Sequence, residues 1–204
     1  MGRIVTVKAV VLDFGGVFAD EGFRDGLAVI ASRFGLDREI FFQTATEAVY
    51  SSGYVTGTGK EADFWELVRA KSGIVAPDEE LRREILSRFV PRPRMLEIVR
   101  AVRRLGCIAA ILSDQSDWLD RLDREHHFFH EFDRVFNSYY LGKTKRDASV
   151  FDDAVRSLGV EASAALLVDD NPAHVQRAVS RGLSTHLFLS VSRLKAELER
   201  LVVL

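Results

Sequence analysis

The sequence predicts an α/β fold: a Rossmann-like, doubly wound parallel sheet with an all-helical insert after its first strand. Short, nearly continuous apolar runs alternate along the chain with longer stretches of helical periodicity, which is typical of parallel strands covered on both faces. Gly106, Gly159 and Gly182 directly follow three of the helical stretches, as left-handed helix caps do. The segment 19–90 breaks the alternation, because it shows helical periodicity and no convincing strand.

The predicted elements follow one another in a simple order. Strands are predicted over residues 5–14, 107–113, 134–139, 164–169 and 185–190, and helices over 94–105, 117–130, 148–158, 172–181 and 192–201. Four more helices are predicted within the insert, over residues 27–34, 39–50, 60–71 and 78–89. Pro91 and Pro93 then mark the return to the α/β pattern. We therefore expect an α/β core made of residues 1–18 and 91–204 and a helical domain made of residues 19–90.

The composition is that of an ordinary soluble globular protein. Its 28 Lys and Arg residues against 30 Asp and Glu residues give a net charge of −2, and 47% of the residues are hydrophobic. This balance gives no reason to expect nucleic acid or a membrane as a partner. The single cysteine, Cys107, excludes an internal disulfide and a multi-cysteine zinc site. Because one free thiol fits a reducing compartment, we expect a cytoplasmic protein.

Polar residues follow the predicted strands at the edge where such sheets bind their ligands. Ligands of open α/β sheets bind at the carboxyl ends of the strands. Asp13 lies at the end of the first predicted strand, Ser113 at the end of the second, and Asp169 and Asp170 at the end of the fourth. Lys145 lies in the loop before the helix that precedes the fourth strand. Carboxylates hold Mg²⁺, while a lysine and a hydroxyl hold phosphoryl oxygens. One carboxylate can also serve as a nucleophile, so this set favours phosphoryl transfer.

The same residues resemble the motifs of the haloacid dehalogenase superfamily, in the branch with a helical C1 cap inserted after the first strand. The Asp-Phe-Gly-Gly-Val of residues 13–17 resembles the family's first motif. Ser113, Lys145 and Asp169-Asp170 resemble its second, third and fourth motifs. Lys145 fits motif three better than Lys143, because Lys-Arg-Asp at 145–147 followed by Val-Phe at 150–151 resembles the family's Lys-Pro-Asp and Ile-Phe. The resemblance covers almost the whole chain.

This resemblance implies an Mg²⁺-dependent phosphohydrolase of a small phosphorylated metabolite, with sugar phosphates among the candidates. It makes Asp13 both the nucleophile and a metal ligand. It also implies that Asp170 and the carbonyl of Gly15 bind the metal, with Asp169 supporting, and that Ser113, Asp114 and Lys145 bind the phosphate. His174 follows Asp170 by about one turn, so we expect it to face the site. The aromatic residues Tyr50, Tyr54 and Trp65 of the insert are candidates for lining the substrate cleft or a dimer face.

Gly15 departs from the family's phosphatases, most of which carry a second aspartate at this position as the general acid and base. Losing that group costs about 10²–10⁴-fold in rate. Three explanations stay open. The substrate could have a good leaving group, as an anomeric sugar phosphate or an acyl phosphate has; an insert residue such as Asp20, Glu21 or Tyr54 could supply the proton; or catalysis could be vestigial.

Two other functions also stay open. The superfamily's 2-haloacid dehalogenases lack the second acid too, but they need no Mg²⁺, and their fourth motif resembles Ser-Ser-Asn rather than Asp169-Asp170. A non-catalytic module that binds a phosphorylated ligand is favoured by Gly15 and opposed by Lys145 and the paired aspartates. The sequence identifies neither the substrate nor the oligomeric state.

Overall fold

The fold is known from a computed structural model that describes residues 7–202. Within that range, five parallel strands form one sheet in the order β3-β2-β1-β4-β5. The strands are β1 (Ala9–Leu12), β2 (Ile108–Ser113), β3 (Arg134–Asn137), β4 (Ala165–Asp169) and β5 (Ser184–Leu187). The predicted parallel α/β sheet is therefore confirmed. The central strand, β1, is the one that Asp13 directly follows.

Helices connect the strands, and four of them lie between β1 and residue 91. The helices are α1 (Gly22–Arg33), α2 (Arg38–Ser51), α3 (Glu61–Ser72), α4 (Asp78–Leu86), α5 (Pro93–Arg104), α6 (Trp118–His126), α7 (Ser138–Leu141), α8 (Ser149–Leu158), α9 (Pro172–Ser180) and α10 (Val191–Val202). Helices α1–α4 occupy the predicted helical insert. The division of the chain into two domains at residues 18 and 91 stays a prediction. None of the helices within residues 7–202 combines the length and the apolar character that crossing a lipid bilayer requires.

The central strand shows why the apolar runs are continuous. Val10 and Leu12 pack into the core on one face of the sheet, whereas Ala9 and Val11 pack into the core on the other. All four side chains are at most 1% exposed. Because successive side chains of a strand point to opposite faces, a strand covered on both faces needs an apolar residue at every position.

The capping glycines behave as predicted. Gly106, Gly159 and Gly182 follow α5, α8 and α9 closely and have φ angles of 79°, 66° and 84°. Glycine adopts this left-handed conformation without the steric penalty that a β-carbon imposes.

Several predicted boundaries are wrong, and local hydrogen bonds explain two of them. The strand predicted over 134–139 ends at Asn137, because the side chain of Asn137 accepts a hydrogen bond from the backbone N–H of Tyr139 and caps α7. The helix predicted over 117–130 ends at His126, because Asp123 Oδ1 accepts hydrogen bonds from the N–H groups of Phe128 and Phe129. Side-chain caps of this kind compete with continued regular structure.

The other corrections concern strand and helix ends. The strand predicted over 5–14 is Ala9–Leu12, with residues 5 and 6 lying outside the described range, and the one predicted over 185–190 is Ser184–Leu187. Helix α1 begins at Gly22 rather than at residue 27. Glycine is a poor helix former, so residues 22–26 do not read as helical from propensity alone.

Candidate active site

A cavity of about 200 Å³ lies at the carboxyl ends of β1, β2 and β4, between the sheet and the helical insert. Its polar lining comes from residues at or near the strand ends: Asp13, Gly15, Ser113, Asp114, Gln115, Ser116, Lys145, Asp170, Asn171 and His174. The remaining lining comes from the insert and from the start of α6: Glu21, Phe23, Val49, Tyr50, Val55, Phe89 and Trp118. The cavity therefore brings together the polar residues predicted from the strand ends, with Asp169 buried beside them.

Asp13 is held firmly at the end of β1. Its backbone N–H donates to the carbonyl of Val168 at 2.9 Å, and its Oδ1 accepts a hydrogen bond from the N–H of Phe14 at 2.7 Å. Phe14 is fully buried and stacks on Phe128 with ring centroids 5.1 Å apart. This buried anchor fixes the loop and leaves Asp13 Oδ2 available to a ligand.

Lys145 is the lysine of the site. Its Nζ lies 2.9 Å from Asp13 Oδ1 and 2.6 Å from Asp169 Oδ2, and its side chain is only 1% exposed. Burial lowers the pKa of Lys145, but the two carboxylates raise it by more, so the ammonium stays charged. Lys143, the alternative candidate, instead forms an ion pair with Asp153 at 2.6 Å and does not line the cavity.

Asp169 orients its neighbours. Its Oδ1 accepts a hydrogen bond from the N–H of Asn171 at 2.8 Å and lies 3.3 Å from Nδ1 of His174, while its Oδ2 accepts from Lys145. Burial raises the pKa of Asp169, but Lys145 and His174 bring it below its ordinary value, so Asp169 is ionised. His174 lines the cavity, as its spacing from Asp170 predicts.

Three carboxylates form a cluster that could hold a metal ion. One ligand atom each from Asp13, Asp169 and Asp170 lies within 4.8 Å of the others. Burial and the neighbouring carboxylates raise the pKa of Asp13 and of Asp170, although Lys145 partly opposes this. A divalent cation would relieve that repulsion, and carboxylate oxygens are its preferred ligands. Because hydrogen bonds engage both oxygens of Asp169, Asp13 and Asp170 are better placed than Asp169 to bind a metal ion directly.

The end of β2 supplies two further predicted residues. Ser113 is buried at 3% exposure and lines the cavity. The side chain of Asp114 is already engaged, since Oδ1 accepts from the backbone N–H of Lys145 at 2.8 Å and Oδ2 accepts from the hydroxyl of Tyr50 at 3.2 Å. A contact between Asp114 and phosphate would therefore have to come from its backbone N–H.

Tyr50 connects the insert to the core, and the other two aromatic candidates do not line the cavity. The guanidinium carbon of Arg146 lies 3.4 Å from the centroid of the Tyr50 ring, where the family pattern has proline at position 146. Tyr54 and Trp65 are 2% and 0% exposed and belong to the core. The hydroxyl of Tyr54 donates to Asp117.

The three candidates for a proton donor are also distinguished. Asp20 is exposed and forms an ion pair with Arg92 at 3.0 Å, and neither Asp20 nor Tyr54 lines the cavity. Glu21 does line it. Burial raises the pKa of Glu21 above its ordinary value, against the effect of a hydrogen bond from the backbone of Arg24.

Two features of the cavity were not predicted from the sequence: its apolar wall, formed by Phe23, Val49, Phe89 and Trp118, and Asn171. Phe23, Val49, Phe89 and Trp118 occupy helical or flanking positions, where a core residue and a cavity residue give the same apolar signal. Asn171 had a usable signal: an asparagine followed by proline is typical of a helix N-cap and first position. Its side chain does cap α9, accepting a hydrogen bond from the N–H of Ala173 at 2.9 Å.

Residues 7–179 match the family of haloacid dehalogenase-like hydrolases in sequence. No curated protein matches this chain in sequence.

Solved structures share the fold at low sequence identity. One is a HAD family enzyme, BT-2542 from Bacteroides thetaiotaomicron, with a TM-score of 0.74, 18% identity, and coverage of 93% of this chain and 98% of that chain. Its complex with magnesium and inorganic phosphate has a TM-score of 0.66, 21% identity, and coverage of 92% and 98%. Another is the L-2-haloacid dehalogenase of Xanthobacter autotrophicus with chloropropionic acid covalently bound, with a TM-score of 0.68, 19% identity, and coverage of 95% and 83%.

Proposed function

Because the chain belongs to the haloacid dehalogenase-like hydrolase family, we propose that it is an Mg²⁺-dependent phosphohydrolase of a small phosphorylated metabolite. The observation that carries this proposal is the cluster of Asp13, Asp169 and Asp170 around the buried ammonium of Lys145. Three carboxylates against one lysine leave excess negative charge, which a bound Mg²⁺ would balance. A structural neighbour in the same family binds magnesium and inorganic phosphate, in agreement with this proposal.

Each residue of the cluster has a distinct proposed role. Asp13 attacks phosphorus with one carboxylate oxygen and forms an aspartyl-phosphate that water later hydrolyses. Ser113 and Lys145 hold the oxygens of the transferring group, and the backbone N–H of Asp114 adds a further donor. Asp13, Asp170 and the carbonyl of Gly15 bind Mg²⁺, with Asp169 supporting them through Lys145. When bound, Mg²⁺ neutralises charge on the phosphoryl oxygens.

The helical insert supplies the specificity. The apolar wall of the cavity includes Phe23, Val49 and Phe89 from the insert, and the cavity volume of about 200 Å³ suits a small ligand. The phosphate would lie at the strand ends, and the rest of the metabolite would contact this wall. Opening and closing of the insert would admit substrate and exclude bulk water. Sugar phosphates remain candidates by size.

The test is the release of inorganic phosphate from sugar phosphates, nucleotides, acyl phosphates and aryl phosphates, with Mg²⁺ or with EDTA. Wild-type protein should release phosphate from part of this panel only with Mg²⁺. The Asp13→Asn variant, purified in parallel, should fall to the uncatalysed rate because it lacks the nucleophile. Its activity also controls for contaminating phosphatases, and preserved turnover would contradict the assignment of Asp13.

Two other outcomes would point to the alternative functions. A dehalogenase would release chloride from 2-chloropropionate in the presence of EDTA, and this result would replace the phosphatase proposal. A non-catalytic module would bind phosphorylated ligands in an Mg²⁺-dependent manner, as calorimetry would detect, without releasing phosphate.

A further inference from the structure

We propose that Glu21 is the general acid and base of this enzyme, in place of the aspartate that most phosphatases of the family carry at the position of Gly15. The inference rests on the proposed phosphohydrolase function and deepens it. A β-carbon built on Gly15 would lie 3.2 Å from Oε2 of Glu21, and one built on Gly16 would lie 3.4 Å from the same atom. The carboxylate of Glu21 therefore occupies the space that a side chain at position 15 would enter.

The backbone of α1 holds Glu21 in that place. Glu21 is the N-cap residue of the helix, and its Oε1 accepts a hydrogen bond from the N–H of Arg24 at 3.3 Å. Within residues 7–202, no hydrogen bond engages Oε2. One oxygen thus anchors the carboxyl group to a helix terminus, and the other lies at the cavity beside Gly15.

The other carboxyl groups of the cavity lining are already engaged. Asp114 accepts hydrogen bonds through both of its oxygens. Asp13 and Asp170 belong to the proposed metal cluster. Glu21 also lines the cavity, and its carboxyl group has no role in the proposed phosphate or metal site.

The proposed proton transfers balance over the two steps. In the first step, Asp13 bonds to phosphorus while the bond from phosphorus to the leaving oxygen breaks. The proton of the Glu21 carboxyl group passes to that oxygen, so a neutral alcohol leaves. In the second step, the Glu21 carboxylate takes a proton from water as the water oxygen bonds to phosphorus. The bond from phosphorus to Asp13 then breaks, which releases inorganic phosphate and restores the protonated Glu21.

The test compares a poor leaving group with a good one in Glu21→Gln. Benzyl phosphate and p-nitrophenyl phosphate each carry one aromatic ring, but only nitrophenolate leaves readily without a proton. The turnover of benzyl phosphate should fall about 10²–10⁴-fold, whereas the first release of nitrophenol should fall far less. Because the second step still lacks its base, p-nitrophenyl phosphate should give a rapid burst of one nitrophenol per active site, followed by slow turnover.

The controls separate catalysis from helix capping. Glutamine keeps a side-chain oxygen that can accept the hydrogen bond from Arg24, so the cap of α1 survives in Glu21→Gln. Asp20→Asn, at the exposed neighbouring carboxyl group, should leave both substrates unaffected. In a Glu21→Ala background, Gly15→Asp should restore part of the turnover of benzyl phosphate, because it returns a carboxyl group to the same space.

The outcomes distinguish this inference from the function on which it rests. If Glu21→Gln keeps wild-type rates, or loses both substrates equally without a burst, Glu21 is only a helix cap and the inference is overturned. If wild-type protein releases no phosphate from any phosphorylated compound with Mg²⁺, the proposed function itself is overturned.

Discussion

The ammonium of Lys145 lies 2.9 Å from Oδ1 of Asp13, and it is the group that connects this residue to the buried Asp169. Lys145 and Asp169 are 1% and 0% exposed, so water does not solvate these charges. Breaking a buried ion pair on one side leaves an uncompensated charge, which is strongly destabilising. Lys145 therefore stabilises the fold around the two carboxylates, and in the proposed function it also holds a phosphoryl oxygen.

Replacing Lys145 should cost stability and activity together. Lys145→Met should lower the free energy of unfolding by about 3–5 kcal/mol, because it leaves two carboxylates without their cation. The matched variant Lys143→Met removes a partly exposed ion pair and should lower the free energy of unfolding far less. Urea denaturation measures both values, and equal losses for the two lysines would contradict the assignment of Lys145.

Gly16→Ala should disturb the metal site directly. Gly16 has a φ of 77°, and a β-carbon there would overlap Oδ2 of Asp170. We expect weaker Mg²⁺ binding, measured by calorimetry, and a loss of phosphate release in addition to the backbone cost. Gly35→Ala is the matched control, since Gly35 has a φ of 67° and no atom within 4 Å of its β-carbon position.

The control variant should lose stability only. A left-handed conformation costs a residue with a β-carbon about 1–2 kcal/mol, so both glycine variants should show a penalty of this size. Unchanged Mg²⁺ affinity in Gly16→Ala would show that Asp170 moves aside without leaving the metal site, which would contradict the prediction.

The stabilisation by Mg²⁺ should grow with pH. The folded state raises the pKa of Asp13 and of Asp170, so it binds more protons than the unfolded chain, whose carboxyl groups titrate near pH 4. In EDTA, the contribution of this pair to stability should therefore decline as the pH rises through the raised pKa values. Mg²⁺ binds the deprotonated carboxylates, so the increase in Tm on adding it should be larger at about pH 8 than at about pH 5.

The same experiment has an internal control. Asp169 has a pKa below its ordinary value and stays ionised over this range, so it does not contribute to the trend. Asp170→Asn should flatten the pH dependence of the Mg²⁺-induced shift in Tm. A shift in wild-type protein that shrinks as the pH rises would exclude Asp13 and Asp170 as the ligands.

Arg146 should assist substrate binding by holding the insert against the core. Its guanidinium stacks on Tyr50, whose hydroxyl also donates to Asp114. A cation–π contact of this kind is worth about 0.5–2 kcal/mol. Arg146→Ala should raise the KM several-fold with little change in kcat, as steady-state phosphate release would show. Arg156→Ala, an exposed arginine on α8, is the matched control and should leave the KM unchanged.

The polar residues at the carboxyl edge of the sheet could be predicted because their position depends on the local order of residues in the chain. A continuous apolar run followed by Asp13, Ser113 or Asp169 places a polar group at the carboxyl end of a parallel strand, wherever that strand lies in the sheet. The choice of Lys145 over Lys143 also came from neighbouring residues in the sequence. Buried strands and the polar residues that follow them can therefore be predicted from the sequence alone.

The boundaries that were wrong depend on side chains that cap the backbone. Asn137 ends β3 and begins α7, although Tyr139 and Tyr140 favour a strand. Helix α1, capped by Glu21, begins at Gly22, five residues before its apolar periodicity becomes visible at Leu27. A side-chain hydrogen bond to the backbone caps the helix at each of these boundaries, and the periodicity of apolar residues does not reveal such a bond.

The sequence by itself determined the family, the α/β class and the polar residues at the strand ends, because adjacency along the chain encodes all three. It left Asp20, Glu21 and Tyr54 open as proton donors, because residues close together in the chain can point in different directions. Only the tertiary structure separates the three by their position relative to the cavity. It places Asp20 at the surface with Arg92, Tyr54 in the core, and the carboxylate of Glu21 beside Gly15, because the segment between β1 and α1 folds back on itself.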